Sequence, residues 1–330
     1  MKINLLKCLV IVVAVLLVGC AEARAATQLR YKFTPGEVSR YVITEDQNFM
    51  RIRQGEDAQG SITHNVIIDL TSKVDRVDGK GNASINLSID RFRMTAKDPQ
   101  EVLFDYDTAS QVKPKGSNKI FALIYEVLTK QPITMKQSPL GKISDIKMPE
   151  EMKEAARKAT TAAAQTNGTV PSEEELSDSL TKGIKIIFTK EPLDEGKTWS
   201  MDGDIKCYIR FGLEGGEGIK KIKTTFRYLG RENKDDKILD KISLTEELRS
   251  PGKIKVSAEN VKVELKSLST EGTIYFDNAA GLLVDYNTRS EMKFSVTTSD
   301  NGKQMNSDVV LTSVNTTKLV PADSKADNTK

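Results

Sequence analysis

Long stretches of alternating apolar and polar residues are the feature that most constrains what this sequence can fold into. In residues 62–70 the even positions are apolar apart from His64, while most odd positions are polar. Residues 284–296 alternate in the same way. Because successive side chains of a β-strand point to opposite faces of a sheet, the pattern predicts long antiparallel strands with one covered face and one solvated face.

The same alternation predicts further long strands. They cover residues 38–53, 82–96, 219–230, 236–249, 259–276 and 305–319. Strands usually have about 5–6 residues, so these lengths predict a mainly β (α+β) fold with a long curved antiparallel sheet or half-barrel. Turn residues at 78–82, 234–236 and 301–302 separate the strands. A change of apolar phase between Ile89 and Phe92 predicts a β-bulge.

Three stretches predict helices that cover the sheet. The first lies near 117–129, where apolar residues recur at helical spacing. The second begins at Pro149 and ends near Ala164, because proline and acidic residues favour a helical first turn. The third begins at Ser172, which opens a capping box with Glu175.

These elements divide the chain into five parts. Residues 27–148 form a first β-meander half, 149–190 a helical insertion and linker, and 191–320 a second β-meander half. Residues 1–19, or alternatively 1–25, form a signal peptide, and 321–330 a disordered tail. Both halves begin with similar Pro/Glu-Gly-Glu/Lys motifs, which fits either a pseudo-repeat or two independent hairpins.

The N-terminus resembles an export signal. Lys2 and Lys7 provide a basic start, and residues 5–18 are almost wholly apolar but too short for a spanning helix. Two cleavage sites remain open: a lipobox ending at Cys20, whose thiol would be lipidated, or an A-x-A site before Ala26. The lipobox predicts a membrane anchor, for which the outer membrane is one candidate, and both cleavage sites predict export to the periplasm or cell envelope.

Composition argues against most catalytic and nucleic-acid functions. The net charge is only +3 and the chain has one histidine, His64, so we expect no nucleic-acid partner, metal, cofactor or catalytic residue. Cys207 is the one cysteine outside the N-terminal region, and we expect it to pack as a small apolar residue. A hydrolase, the least favoured alternative, would depend on carboxylates such as Asp105 and Asp277.

A curved sheet with one covered face can enclose an apolar cavity. We therefore predict a non-catalytic protein that binds a hydrophobic ligand, either a lipid or a lipidated chain. The alternative is an envelope scaffold or assembly protein that acts through protein contacts. The candidate lining residues are Tyr41, Ile43, Val66, Ile68, Phe226, Tyr228 and Phe294.

Several motifs resemble those of an uncharacterised family of exported bacterial proteins. They are Tyr31-Lys32-Phe33-Thr34-Pro35-Gly36-Glu37 with Tyr41, Glu173-Glu174-Glu175-Leu176, Glu195-Gly196-Lys197-Thr198-Trp199 and Gly272-Thr273-Ile274-Tyr275-Phe276-Asp277. The likeness covers most of residues 27–319 and implies no active site. More loosely, the architecture is similar to periplasmic carriers of lipoproteins and lipids, a likeness that does not establish function.

Overall fold

The computed structural model describes residues 26–53, 59–110, 126–164, 186–209, 216–256, 261–300 and 303–321. Within these residues thirteen strands form one antiparallel curved sheet, so the chain is mainly β as predicted. The strands are β1 (Val38–Arg53), β2 (Gln59–Val77), β3 (Ala83–Lys97), β4 (Val102–Asp107), β5 (Ile133–Gln137), β6 (Ile143–Lys147), β7 (Thr198–Ile209), β8 (Gly216–Lys234), β9 (Lys237–Leu248), β10 (Gly252–Val256), β11 (Val261–Asp277), β12 (Leu282–Asp300) and β13 (Lys303–Val320).

Neighbouring strands follow each other almost in chain order. The order in the sheet is β7-β8-β9-β11-β12-β13-β1-β2-β3-β5-β6, with β10 beside β8 and β11. The strands β4 and β5 lie end to end along β3, because β4 pairs with its last residues and β5 with its first. The first and last long strands, β1 and β13, pair from Arg40–Val320 to Arg53–Ser307, so both halves of the chain share one sheet.

The predicted bulge and the predicted turns at 78–82 and 234–236 are present. Leu70 pairs with Ile89 and Asp69 pairs with Arg91, so Asp90 is the extra residue of a bulge in β3. The β8–β9 turn places Asp235 and Asp236 at φ angles of 51° and 62°, the conformation that a two-residue type I′ hairpin requires. The predicted turn at 301–302 lies outside the described residues.

The two faces of the sheet differ in chemistry. One face, here called the core face, carries Tyr41 and Ile43 of β1 with their cross-strand partners Leu70 and Ile68. The opposite face, called the polar face, is lined mainly by charged and hydroxyl side chains such as Asp46. The alternation in the sequence therefore predicted the separation of the faces correctly.

One end of the sheet is closed by chain segments that cross it. Residues 26–34, the N-terminal strap, bridge to Leu193, where the backbone N–H groups of Thr27 and Leu193 each donate to the other's carbonyl at 2.8 Å. The strap also donates from Tyr31 N to Pro139 O at 2.8 Å. Residues 186–193 cross the same end, and Phe188 N donates to Leu140 O at 2.9 Å. The strap and this crossing segment bring together turns from both edges of the sheet.

The two similar sequence motifs form the same local structure at this closed end. Gly36 and Gly196 have φ angles of 84° and 86°, a left-handed conformation that glycine adopts without strain. Gly36 N donates to Val74 O at 2.8 Å, and Gly196 N donates to Tyr228 O at 2.8 Å. Each turn therefore docks on the strand that pairs with the one it opens.

The predicted helices are described only in part. The second is confirmed as α1 (Glu150–Ala164), in which Met152 is fully buried in the main hydrophobic cluster. Of the first, residues 126–128 are helical and Leu128 is buried, while 111–125 lie outside the described residues. The third also falls outside them. The described helical residues thus cover the core face as expected.

Candidate functional site

The core face carries two separate hydrophobic clusters. The first fills the closed end, where Tyr31 of the strap packs between Phe188 and Phe276 with ring centroids 5.3 and 5.2 Å away. It also continues along β3 and β4 as far as Ala96 and Phe104. The second lies on β11, β12 and β13 toward the opposite end, around Leu265 and Phe294. Both clusters are closely packed, since their members are at most 9% exposed.

Between the packed clusters lies a region of the core face with looser cover. Ile43, Val66, Ile68 and Met94 are partly buried and form what we call the apolar strip. They are cross-strand neighbours, because Ile43 pairs with Ile68 and Val66 pairs with Met94. Toward the hairpin end Ile62, on the same face, is 39% exposed. The strip therefore presents apolar area that the described residues do not fully cover.

A row of polar side chains borders the apolar strip. Glu45 and Gln47 share its face on β1, and Gln47 Nε2 donates to Glu45 Oε1 at 2.7 Å. His64 lies opposite Gln47 and packs against Phe49, with ring centroids 5.0 Å apart. Burial lowers the pKa of His64 below its ordinary value. A molecule on the strip would meet both apolar surface and hydrogen-bonding groups.

The candidate lining residues share the core face but not one site. Tyr41, Phe226 and Tyr228 are buried in the first cluster. Phe294 belongs to the second cluster. Ile43, Val66 and Ile68 are the members that lie in the apolar strip. Three of the seven candidate residues therefore lie together in the strip, and the other four lie in the packed clusters.

A small cavity lies beside Tyr41 at the closed end. Its volume is about 50 Å³, and its lining includes Tyr31, Ser72 and Gln137. The Tyr31 hydroxyl is buried without a hydrogen-bond partner among the described residues, and burial raises its pKa. A cavity of this size holds a few water molecules but not an acyl chain, so it is not the ligand site that the sequence predicts.

A larger concavity lies on the polar face, where sequence reasoning placed no site. This groove has a volume of about 610 Å³ and crosses the five strands from β12 to β3. Arg93, Lys97 and Arg289 line it together with Asp46 and Asn48. Alternation does predict that these residues share a solvated face, but only the strand order places β12 near β3.

The carboxylates considered for hydrolysis make structural contacts. Asp105 Oδ1 accepts a hydrogen bond from Thr95 Oγ1 at 3.3 Å. Asp277 Oδ1 accepts one from Ala280 N at 2.8 Å, which stabilises the turn after β11. Asp107 accepts two from Arg91, at 3.0 and 2.5 Å, and these hold the pKa of its carboxyl below the ordinary value. Among the described residues no three His, Cys, Asp or Glu side chains are grouped to hold a metal ion.

The predicted anchor residue lies outside the described part of the chain. Cys20 precedes Ala26, the first described residue, so the choice between the two cleavage sites stays a prediction. Cys207 is in β7 opposite Gly218. Within the described ranges no helix is long and apolar enough to cross a bilayer.

No family model and no characterised protein matches the sequence. A lipovitellin structure described for its lipid–protein interactions aligns with 89% of this chain and 27% of that chain, at 12% identity and a TM-score of 0.47. The chain thus spans about a quarter of the lipovitellin chain. These values are too low to establish a common fold.

Two bacterial structures give weaker matches. A putative exported protein from Bacteroides fragilis with a YmcC-like fold aligns at 11% identity and a TM-score of 0.20, over 86% of this chain and 98% of that one. Pseudomonas aeruginosa OccK5 (OpdH) aligns at 7% identity and a TM-score of 0.23, over 86% and 99%. Both scores are lower than that of lipovitellin.

Proposed function

We propose that this protein is a non-catalytic cell-envelope protein that binds the hydrophobic part of a lipid or lipidated chain. The observation that carries the proposal is the apolar strip of Ile43, Val66, Ile68 and Met94, which lies on the core face yet is only partly buried. An acyl chain laid on it would remove this apolar area from water, a gain of about 25 cal/mol per Å².

The border of the strip suits an amphipathic ligand. Glu45, Gln47 and His64 supply a carboxylate, an amide and an imidazole beside the aliphatic side chains. A ligand with one polar group and a hydrocarbon chain would satisfy both regions, as in other sites where few polar groups fix the orientation. Binding of this kind needs no chemical step.

The proposed location follows from the N-terminal sequence. Cleavage at the lipobox would leave an acylated Cys20 that holds the protein on a membrane, with the outer membrane as one candidate. Cleavage before Ala26 would instead release the protein into the periplasm. Either product would meet lipids and lipoproteins in transit.

The test is native mass spectrometry of the full-length protein expressed with its signal in a Gram-negative host. We expect an added mass that is lost on denaturation and identified by lipid extraction. Val66→Glu should abolish it, because the charge faces the strip. Ile67→Glu, at the next residue but on the polar face, is the matched control and should keep it. Val66→Thr, nearly the same in shape, should weaken binding if the glutamate variant does not fold.

Absence of added mass, with no uptake of a dansyl fatty acid by the purified protein, would contradict the proposal. Equal retention in Val66→Glu and Ile67→Glu would also contradict it, because the strip would then not be the site.

A second candidate function is protein assembly at the sheet edge. The short strand β4 exposes Val102 and Leu103, which are 54% and 41% accessible. Among the described strands β4 pairs with β3, and exposed apolar side chains on such a strand favour contact with another chain. Crosslinking at position 103 in cells distinguishes this function from ligand binding. A captured partner protein would support assembly, whereas a monomeric protein with no captured partner would contradict it.

A further inference from the structure

The groove on the polar face differs from the apolar strip in both shape and charge. Its volume of about 610 Å³ lies within the range of about 300–1,000 Å³ that is typical of small-molecule sites. Its charged lining residues lie on the polar face, while Gln47, His64 and Ser313 of the core face also contribute to its lining. The aliphatic residues Ile43, Val66 and Ile68 do not line it.

Three cations lie at opposite walls of this groove. Arg289 of β12 is on the same row as Val314, Asp46, Asn65 and Thr95, one residue from each strand. Neighbouring strands are about 4.8 Å apart, so Arg289 is about 19 Å from Thr95.

Arg93 and Lys97 flank Thr95 on β3 and face the same side of the sheet. Within the described residues none of the three cations forms an ion pair within 4.0 Å. Each arginine has a carboxylate opposite it in the sheet, Glu271 of β11 for Arg289 and Asp107 of β4 for Arg93. Asp107 is bound by Arg91 instead. The two walls of the groove therefore offer positive charge to a ligand.

The floor of the groove has a different chemistry. Asn48 Oδ1 is buried and has no hydrogen-bond partner among the described residues. Asp46 Oδ1 accepts a hydrogen bond from Asn65 Nδ2 at 2.7 Å, and its carboxylate is otherwise exposed to the groove. Both oxygens accept hydrogen bonds, so they suit hydroxyl donors, whereas the negative charge of Asp46 repels an anion at the centre.

We propose that this groove binds a short acidic oligosaccharide. Its hydroxyl groups would donate to Asn48 and Asp46 on the floor, and its carboxylate or phosphate groups would pair with Arg289 at one wall and with Arg93 and Lys97 at the other. A span of about 19 Å, four strand spacings, accommodates three or four sugar units. The groove lining contains no Phe, Tyr or Trp, so it offers no such platform for stacking nucleobases.

The experiment is calorimetric titration of the purified full-length protein with trigalacturonate, using maltotriose as the uncharged analogue. We expect trigalacturonate to bind, and its affinity to fall as salt is added. The Arg289→Gln and Lys97→Gln variants should each bind it at least tenfold more weakly. Asn48→Ala should weaken the binding of both sugars, because it removes an acceptor of their hydroxyl hydrogen bonds without changing the charge of the groove.

Lys293→Gln is the matched control. Lys293 lies on the same face of β12, but its Nζ pairs with Glu291 Oε1 at 3.0 Å and does not line the groove. Its variant should bind trigalacturonate as the unmodified protein does. An equal loss in this control would overturn the proposal, because it would show non-specific attraction.

Two further results would also overturn the proposal. One is no binding of trigalacturonate at low salt. The other is Arg289-dependent binding of phosphatidylglycerol vesicles without any binding of the soluble sugar, which would make the groove a membrane contact. Neither result tests the apolar strip, because its aliphatic residues Val66 and Ile68 do not line the groove.

Discussion

The same strands form a filled core at the closed end of the sheet and a partly open surface from their middle toward the hairpin end. At the closed end Leu70 of β2 is 1% exposed beneath the N-terminal strap, whereas eight residues earlier in this strand, and on the same face, Ile62 is 39% exposed. The alternation of apolar and polar residues is alike in both regions. What differs is the cover supplied by distant chain segments, so an apolar face indicates where a sheet can pack and not what packs there.

The largest effect is expected when one phenylalanine from each cluster is replaced and the two variants are compared. Phe276, with its ring 4.7 Å from that of Phe188, and Phe294 are both buried, so replacing either by Ala should cost about 3–5 kcal/mol of unfolding free energy. Only Phe276→Ala should also speed hydrogen exchange at Tyr31 N, because it loosens the strap. Denaturant unfolding and exchange mass spectrometry measure the two effects. Faster exchange at Tyr31 in Phe294→Ala as well would show that both ends open as one unit.

The next largest loss of stability is expected when either of two glycines is replaced by alanine. Gly141 and Gly36 have φ angles of 86° and 84°, so an Ala at either position should cost about 1–2 kcal/mol. At Gly141 the added Cβ would lie 1.8 Å from the carbonyl oxygen of Ile186, whereas at Gly36 no atom lies within 4 Å. Gly141→Ala should therefore destabilise the protein more in thermal unfolding. Equal losses would mean that the crossing segment 186–193 is not held against the turn.

The smallest effect concerns pH in the partly open region. Because burial lowers the pKa of His64 from 6.5, the unfolded chain binds a proton that the folded chain does not between that value and the lowered one. Stability should therefore fall as pH decreases through this window. His64→Gln should show a smaller fall in urea unfolding from pH 7 to pH 5. Identical curves would show that His64 is solvated in the fold.

Much of the sheet could be predicted because a long strand contains many alternations of apolar and polar residues. Nineteen residues in β2 and nineteen in β12 provide many alternations, and the bulge at Asp90 is visible as a phase change. The hairpin of β5 and β6 was missed, since each strand has only five residues and a few alternations do not stand out from chance.

The candidate site was predicted only in part. Ile43, Val66 and Ile68 were found because apolar residues in phase must share a face, but their partial exposure depends on where the strap and α1 lie. The groove was missed because Arg289 is nearly two hundred residues from Arg93 in the sequence. Only the pairing of β13 with β1 brings their strands into one surface.

The position of the strap also sets the geometry of a tether. The chain enters the fold at Thr27, which bridges to Leu193 at the closed end. A lipid on Cys20 would keep that end within about 20–25 Å of a bilayer, the reach of seven extended residues. Strands of nineteen residues extend for about 60 Å, so the tether limits the distance of the closed end and leaves the far ends of the strands unconstrained. A molecule bound on the apolar strip would lie farther along the strands from the tether than the strap does.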